Sequence, residues 1–197
     1  MGLEEQILEV VSQLQSGQGR SLYGSLTLMR KSLIKSSQGR GKLVQAGAVR
    51  LLLDLLEEKP RHSGQTNMPD LIMSILANLC LDDAASKQIL KCGGLETIAT
   101  FTLASEAESI QNRGIRALSN LAQVDGVVDE LFNLEVPEFV ADHLLVTANE
   151  ECQVTYCRAL CFETGQSGAS VGGSELLLTR VSYSGNTGGS HYGGERR

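Results

Sequence analysis

Cys157 and Cys161 stand one helical turn apart with His143 upstream, residue types that ligate zinc. A zinc site needs four ligands, and the sequence supplies neither a C-x-x-C pair nor a second pair to complete the set. Cys152 and Cys157 fall near an apolar stripe, where a thiol packs as a small hydrophobe. None of the five cysteines carries the local signature of a cysteine nucleophile. Gly39-Arg40-Gly41-Lys42-Leu43 has the look of a phosphate loop, but Ser36 stands where the first glycine belongs and Leu43 where the hydroxyl belongs. No strand precedes it, so a joint between helices is expected there. Asp125-Gly126 lacks the acidic ladder of a calcium loop. The sequence therefore predicts no catalytic residue, no metal site and no cofactor.

The strongest candidate for a site is Glu108 to Gln123, ESIQNRGIRALSNLAQ. Ile110, Gly114, Ala117, Leu118 and Leu121 follow intervals of 4, 3, 1 and 3, which draw one buried stripe along a helix. Ser109, Arg113, Arg116 and Asn120 draw a second, polar stripe rotated away from the first. The helix therefore has one face for a core and one polar face that could meet something else, and an amide there can both donate and accept. Ser105 and Glu108 have S-x-x-E spacing, which predicts a capping box at the helix start.

The elements that must hold this face recur. Subtracting 42 from the core positions gives Met68, Ile72, Ile75, Leu76 and Leu79, all apolar, and turns Asn120 into Asn78. Adding 42 gives Cys152, Tyr156, Ala159 and Leu160, which fit a core, and then Glu163, which does not. An all-helical period of this length marks stacked helical repeats, each burying its apolar face against the next.

Composition agrees. Apolar residues make up 42% and charged ones 20%, which is globular, while aromatics are 4% with no Trp. Aliphatic layers between helices suit that mix. A net charge of −6 argues against general nucleic-acid binding. No apolar run reaches the length of a membrane span. The first residues, MGLEEQILEV, carry Glu4 and Glu5 where a secretory leader carries positive charge, and Gln6 breaks the myristoylation pattern after Gly2. An odd cysteine count without secretory context predicts reduced thiols and a cytoplasmic setting, with the nucleus as a second compartment.

In chain order, helices are expected at 3–15, at 21–35 (ending at Ser36-Ser37-Gln38-Gly39), at 42–47 and at 49–58, the last two joined at Gly47. A loop follows from Glu58 to Asn67, then a helix over 68–82 with Asn67 as its cap. The next set is a short helix from Asp82 or Asp83 to Gly93-Gly94, a helix from Leu95 to Ala104, and Glu108 to Gln123. A third set covers Val127–Leu134, Pro137 to about Val146, and Glu150 to Cys161. This divides the chain into a helical lead-in (1–40), repeats (41–163, as 41–82, 83–123 and 124–163) and a tail (164–197). Nine of the 21 glycines fall in the tail, which is expected to be disordered, and the change reads as a splice variant or mispredicted exon.

Three helices per unit, together with QAGAVRLLLDLL, KCGGLETI and above all SIQNRGIRALSNLA, resemble the armadillo-repeat family over roughly residues 20–161. The resemblance implies an all-α, right-handed armadillo-type solenoid of about three repeats. It also implies a concave groove lined by the third helices, where the family's asparagine bonds the backbone of an extended peptide. That role passes to Asn78 and Asn120, with Ser74, Arg113, Arg116 and Arg158 beside them. The plainer reading is a solvated helix face. Import receptors of the family hold a lysine stem with a Trp four residues before the Asn, and here those positions are Ser74 and Arg116. Neutral or acidic extended protein segments are therefore the expected partners, with no nucleic acid and no membrane. Longer proteins that resemble it add a BTB domain that recruits a cullin-type ubiquitin ligase, so a ligase-adaptor role is implied for a longer relative. The rival expectation is a truncated or variant product that self-associates through an uncapped last repeat, with Leu118 and Leu121 partly uncovered and Tyr156 and Leu160 unshielded.

Overall fold

The structure is a computed structural model that describes residues 2–16, 19–58, 68–150, 152–155 and 159. Its regular elements are helices: α1 (Leu3–Ser16), α2 (Gly19–Lys31), a 3-10 turn (Leu33–Lys35), α3 (Ser37–Gln45), α4 (Ala48–Glu57), α5 (Met68–Leu79), α6 (Asp83–Lys91), α7 (Gly94–Leu103), α8 (Glu108–Leu121), α9 (Val127–Asn133) and α10 (Val136–Val146). Residues 152–155 and 159 are helical as well. Two complete three-helix units, α3–α5 and α6–α8, follow the pair α1–α2. A third unit is begun by α9 and α10.

One buried cluster runs through all of them. It includes Leu26 and Met29 of α2, Leu52 and Leu53 of α4, Ile72, Ile75, Leu76 and Leu79 of α5, and Ala117, Leu118 and Leu121 of α8. The third helices stack, α5 packing on both α2 and α8, while α7 closes the back of α8. Of the stripe read from the sequence, Gly114, Ala117, Leu118 and Leu121 and their counterparts Ile72, Ile75, Leu76 and Leu79 are buried, while Ile110 and Met68, near the helix starts, are half-buried. Each fully buried leucine in it contributes roughly 1.5–3 kcal/mol of transfer free energy.

The joints show why short and long helices alternate. Gly47 and Gly93 take φ of 79° and 75° between the first and second helices of successive units. That left-handed conformation costs residues with a Cβ, so glycine recurs in AGAV and CGGL. The third unit has Glu135 at the same joint, with φ 58°. Val136 and Pro137 then open α10, where the missing proline N–H has no helical partner to lose.

Several expectations are corrected. The run Ser36-Ser37-Gln38-Gly39 starts a helix instead of ending one. Helix α2 stops at Lys31, the chain makes a 3-10 turn that buries Leu33 and Ile34, and Ser36 Oγ accepts the Gly39 N–H at 3.0 Å as the cap of α3. Gly39–Leu43 therefore lies inside α3 and is not a joint. Helices α5 and α8 end two to three residues earlier than expected, at Leu79 and Leu121. The capping box does not form, because α8 begins at Glu108 and Ala107 is its cap. Ser105 instead accepts the Ala107 N–H on its hydroxyl, at 3.2 Å, and the Gln111 amide on its carbonyl, at 2.7 Å. Leu118 and Leu121 are not uncovered: they are 1% and 0% exposed, because α9, α10 and Cys152 close over that end of the core. The expected Glu58–Asn67 loop beyond residue 58, the Asn67 cap, Tyr156, Cys157, Leu160, Cys161 and the 164–197 tail lie outside the described residues.

Candidate peptide groove

The polar faces of α2, α5 and α8 converge on a cleft of about 450 Å³. Ser74 and Asn78 enter it from α5, Asn112, Arg113 and Arg116 from α8, and Arg30 from α2. Thr155 and Cys152, in the helical residues after α10, close the far wall. Five of the six groove residues read from the sequence are described, and four of them line this cleft. Asn120 stands further along the same face of α8, and Arg158 lies outside the described residues.

The two asparagines are already employed in the stack. Asn120 Nδ2 donates to the Ala77 carbonyl of α5 at 3.3 Å, across the boundary between units. Asn78 Nδ2 donates to Ser74 in its own helix at 2.6 Å. Each amide keeps a second N–H and an accepting oxygen for other partners. Arg113 is likewise tied to α5, through an ion pair with the Asp70 carboxylate and a 3.2 Å bond from Nη1 to the Asp70 carbonyl. Both cross-unit links join residues 43 apart in sequence. They sit two helical turns apart on each helix and fix the register of α8 on α5. The side chains of that ion pair are 25% and 22% exposed, so its net stabilisation is modest.

Arg116 and Arg30 are exposed. Arg30 lines the cleft and the sequence did not mark it, since α2 stands outside the 42-residue period. Its stripe Leu22, Ser25, Leu26 and Met29 offered a signal, because it repeats the spacing of Ile72, Ile75, Leu76 and Leu79. The same alignment puts Leu28 at the Asn position, so α2 does not extend the asparagine row. Asn112 was missed too. Its Oδ1 is buried in the groove wall with no hydrogen-bond partner among the described residues.

Around the cleft, Glu108 accepts the Thr147 hydroxyl, which joins the start of α8 to the end of α10. His143 is held by its own helix: Nδ1 lies 2.9 Å from the Phe139 carbonyl and the two rings stack at 3.8 Å. Among the described residues no three His, Cys, Asp or Glu side chains gather as metal ligands. None of the described helices is long and apolar enough to cross a membrane.

Stacked three-helix units with a shared core and a polar face on the third helices define an armadillo-type solenoid. Solved structures carry the same fold. The designed armadillo repeat protein YIII(Dq.V1)4CPAF, in complex with the peptide (KR)4, superposes with a TM-score of 0.71 at 15% identity, covering 88% of this chain and 69% of that one. A computationally designed armadillo repeat protein for modular peptide recognition gives a TM-score of 0.71 at 17% identity over 93% of this chain and 71% of its own. Among curated proteins, mouse (Mus musculus) armadillo repeat-containing protein 5 is 43% identical over 53 residues. That match spans 27% of this chain and 6% of the mouse protein. No protein-family profile matches the chain.

Proposed function

We propose that this chain is a non-catalytic protein-interaction module that holds an extended segment of a partner against α2, α5 and α8. The observation that carries the reading is the unmatched Asn112 Oδ1 in the wall of a polar cleft of about 450 Å³. A buried acceptor without a donor costs roughly 1–3 kcal/mol, and a peptide N–H is the donor that an extended segment brings. The terminal torsion of the amide is soft, and a bound segment would need it to rotate to present that oxygen to the cleft. Peptide binding by designed relatives of the same fold supports the reading. In a longer relative, the same capture would serve as the substrate-holding part of a ubiquitin-ligase adaptor.

The test is a pull-down from cell lysate read by mass spectrometry, comparing the wild-type chain with Arg116→Glu after circular dichroism shows equal helicity. Partners held by the wild type and lost by the variant support the groove. Identical partner sets from both chains would overturn it.

A second reading rests on a different observation. Leu145, Val146 and Val154 are 50%, 78% and 50% exposed at the last unit, an apolar edge that self-association would cover. Light scattering over a concentration series separates the two readings. Growth in mass that Val146→Lys abolishes would favour self-association, and a constant mass would remove it.

A further inference from the structure

We infer that the groove reads side chains as well as backbone, and that its ligand is a peptide carrying a carboxylate next to a bulky apolar residue. This rests on the groove reading above and adds the chemistry of the partner. A second cleft, of about 360 Å³, adjoins the first. The two share Arg30, Ser109 and Arg113 on their common wall. The second is lined in addition by Tyr23, Asp70, Leu71, Ala107 and Ile110, so it offers an aromatic ring and aliphatic side chains beside the Asp70–Arg113 ion pair. The first has a polar lining with Arg30, Arg113 and Arg116.

Charge decides what the polar cleft accepts. Among the described residues, Arg113 is neutralised by Asp70, and Arg30 and Arg116, on separate helices, line the cleft together with the carboxylate of Glu108. A lysine or arginine side chain entering there meets guanidinium groups at both walls. A carboxylate meets complementary charge and the hydrogen-bonding groups of Ser109 and Asn78. With Arg113 paired to Asp70, Arg30 and Arg116 less Glu108 leave the described lining with a net charge of about +1, which one carboxylate balances and a phosphate of close to two negative charges exceeds. The carboxylate is the better fit.

The apolar neighbour follows from the shared wall. Tyr23 and Arg30 lie seven residues apart on α2, two turns along one face. Tyr23 is 38% exposed, an aromatic surface left uncovered beside a charged site. Aromatic rings with a polar tip are frequent anchors for binding, since they supply large area at small entropic cost. An extended peptide that places an acid between Arg30 and Arg116 carries its adjoining residues across Arg113 toward Tyr23.

The test uses the purified chain of 197 residues and fluorescent decapeptides read by anisotropy. One position carries Glu, Gln, Lys or phosphoserine, and its neighbours carry Leu or Ser. The expected order is Glu tightest, with Gln about fivefold weaker and Lys weaker still. Raising the salt should close the gap between Glu and Gln. Arg116→Gln and Arg30→Gln should each shrink the Glu-over-Gln preference and leave Leu over Ser intact. Tyr23→Ala should do the reverse, which also shows that each variant is folded. Equal binding of Lys and Glu peptides would overturn the inference while the groove reading stands, and phosphoserine binding tighter than Glu would overturn the carboxylate. Absence of binding by every peptide would remove both the inference and the groove reading.

Discussion

Gly114 sits inside α8, where helix propensity alone says that alanine is better by about 1 kcal/mol. The packing says the opposite. A Cβ at Gly114 would lie 1.9 Å from Thr102 Oγ1, 2.6 Å from its Cγ2 and 2.8 Å from its Cβ on α7. Thr102 cannot swing away cheaply, because it is 0% exposed and its hydroxyl donates to the Ile98 carbonyl at 2.6 Å. Overpacking of this kind costs roughly 1–3 kcal/mol, and loss of the buried hydroxyl bond adds about 1 kcal/mol. Gly114→Ala should therefore destabilise by about 1–3 kcal/mol after the propensity gain is subtracted. For a chain of this size that is a fall in Tm of roughly 2–12 °C. Gly24→Ala in α2 and Gly41→Ala in α3 are the controls, since a Cβ at either meets nothing within 4 Å. Both should stabilise by about 0.5–1 kcal/mol. Thermal and urea unfolding followed by far-ultraviolet circular dichroism measures all three. Adding Thr102→Ala to Gly114→Ala removes the two γ atoms and should recover about 1 kcal/mol, read as a double-mutant cycle. If Gly114→Ala raises the Tm as the controls do, then α7 does not press on α8 and the packing argument fails.

Two further outcomes follow from the same coordinates. Glu135 holds the left-handed joint that Gly47 and Gly93 hold in the preceding units, so Glu135→Gly should raise the unfolding free energy by about 1 kcal/mol in urea, and no change would mean the joint is unstrained. Burial pushes the Cys80 thiol up to about 12, so its thiolate fraction at pH 8 is on the order of 10⁻⁴. Because the shift is upward, Cys80 labelling in the folded chain should stay low and rise only as pH approaches that value. Half-buried Cys92 should be alkylated before Cys80 at pH 8, and equal labelling of the two by mass mapping would contradict the burial of Cys80 just after α5.

The repeat was legible because burial on a helix has a period. Ile72, Ile75, Leu76 and Leu79 and their counterparts in α8 announce themselves by spacing, and the glycine joints by needing a backbone that few residues adopt. The start of α3 was not legible, since Ser36-Ser37-Gln38-Gly39 contains the residues of both a helix end and a helix cap. Only the burial of Leu33 and Ile34 in a separate turn decides between them. The cleft was half legible: Asn78, Arg113 and Arg116 come from the polar faces of α5 and α8, but a polar face does not say which of its members a neighbouring helix will claim.

The sequence by itself determined the all-helical units, their three-helix rhythm, and which face of each third helix is apolar. These are local properties, set by side chains three and four residues apart. The tertiary structure alone decided that Gly114 is glycine because Thr102 presses on it, and that Asn120 and Arg113 are partly spent on holding α8 to α5. It also decided that Arg30 and Tyr23 of α2 belong to the same groove. Each of those facts is a distance between residues far apart in the chain, and such distances are fixed only when the units stack.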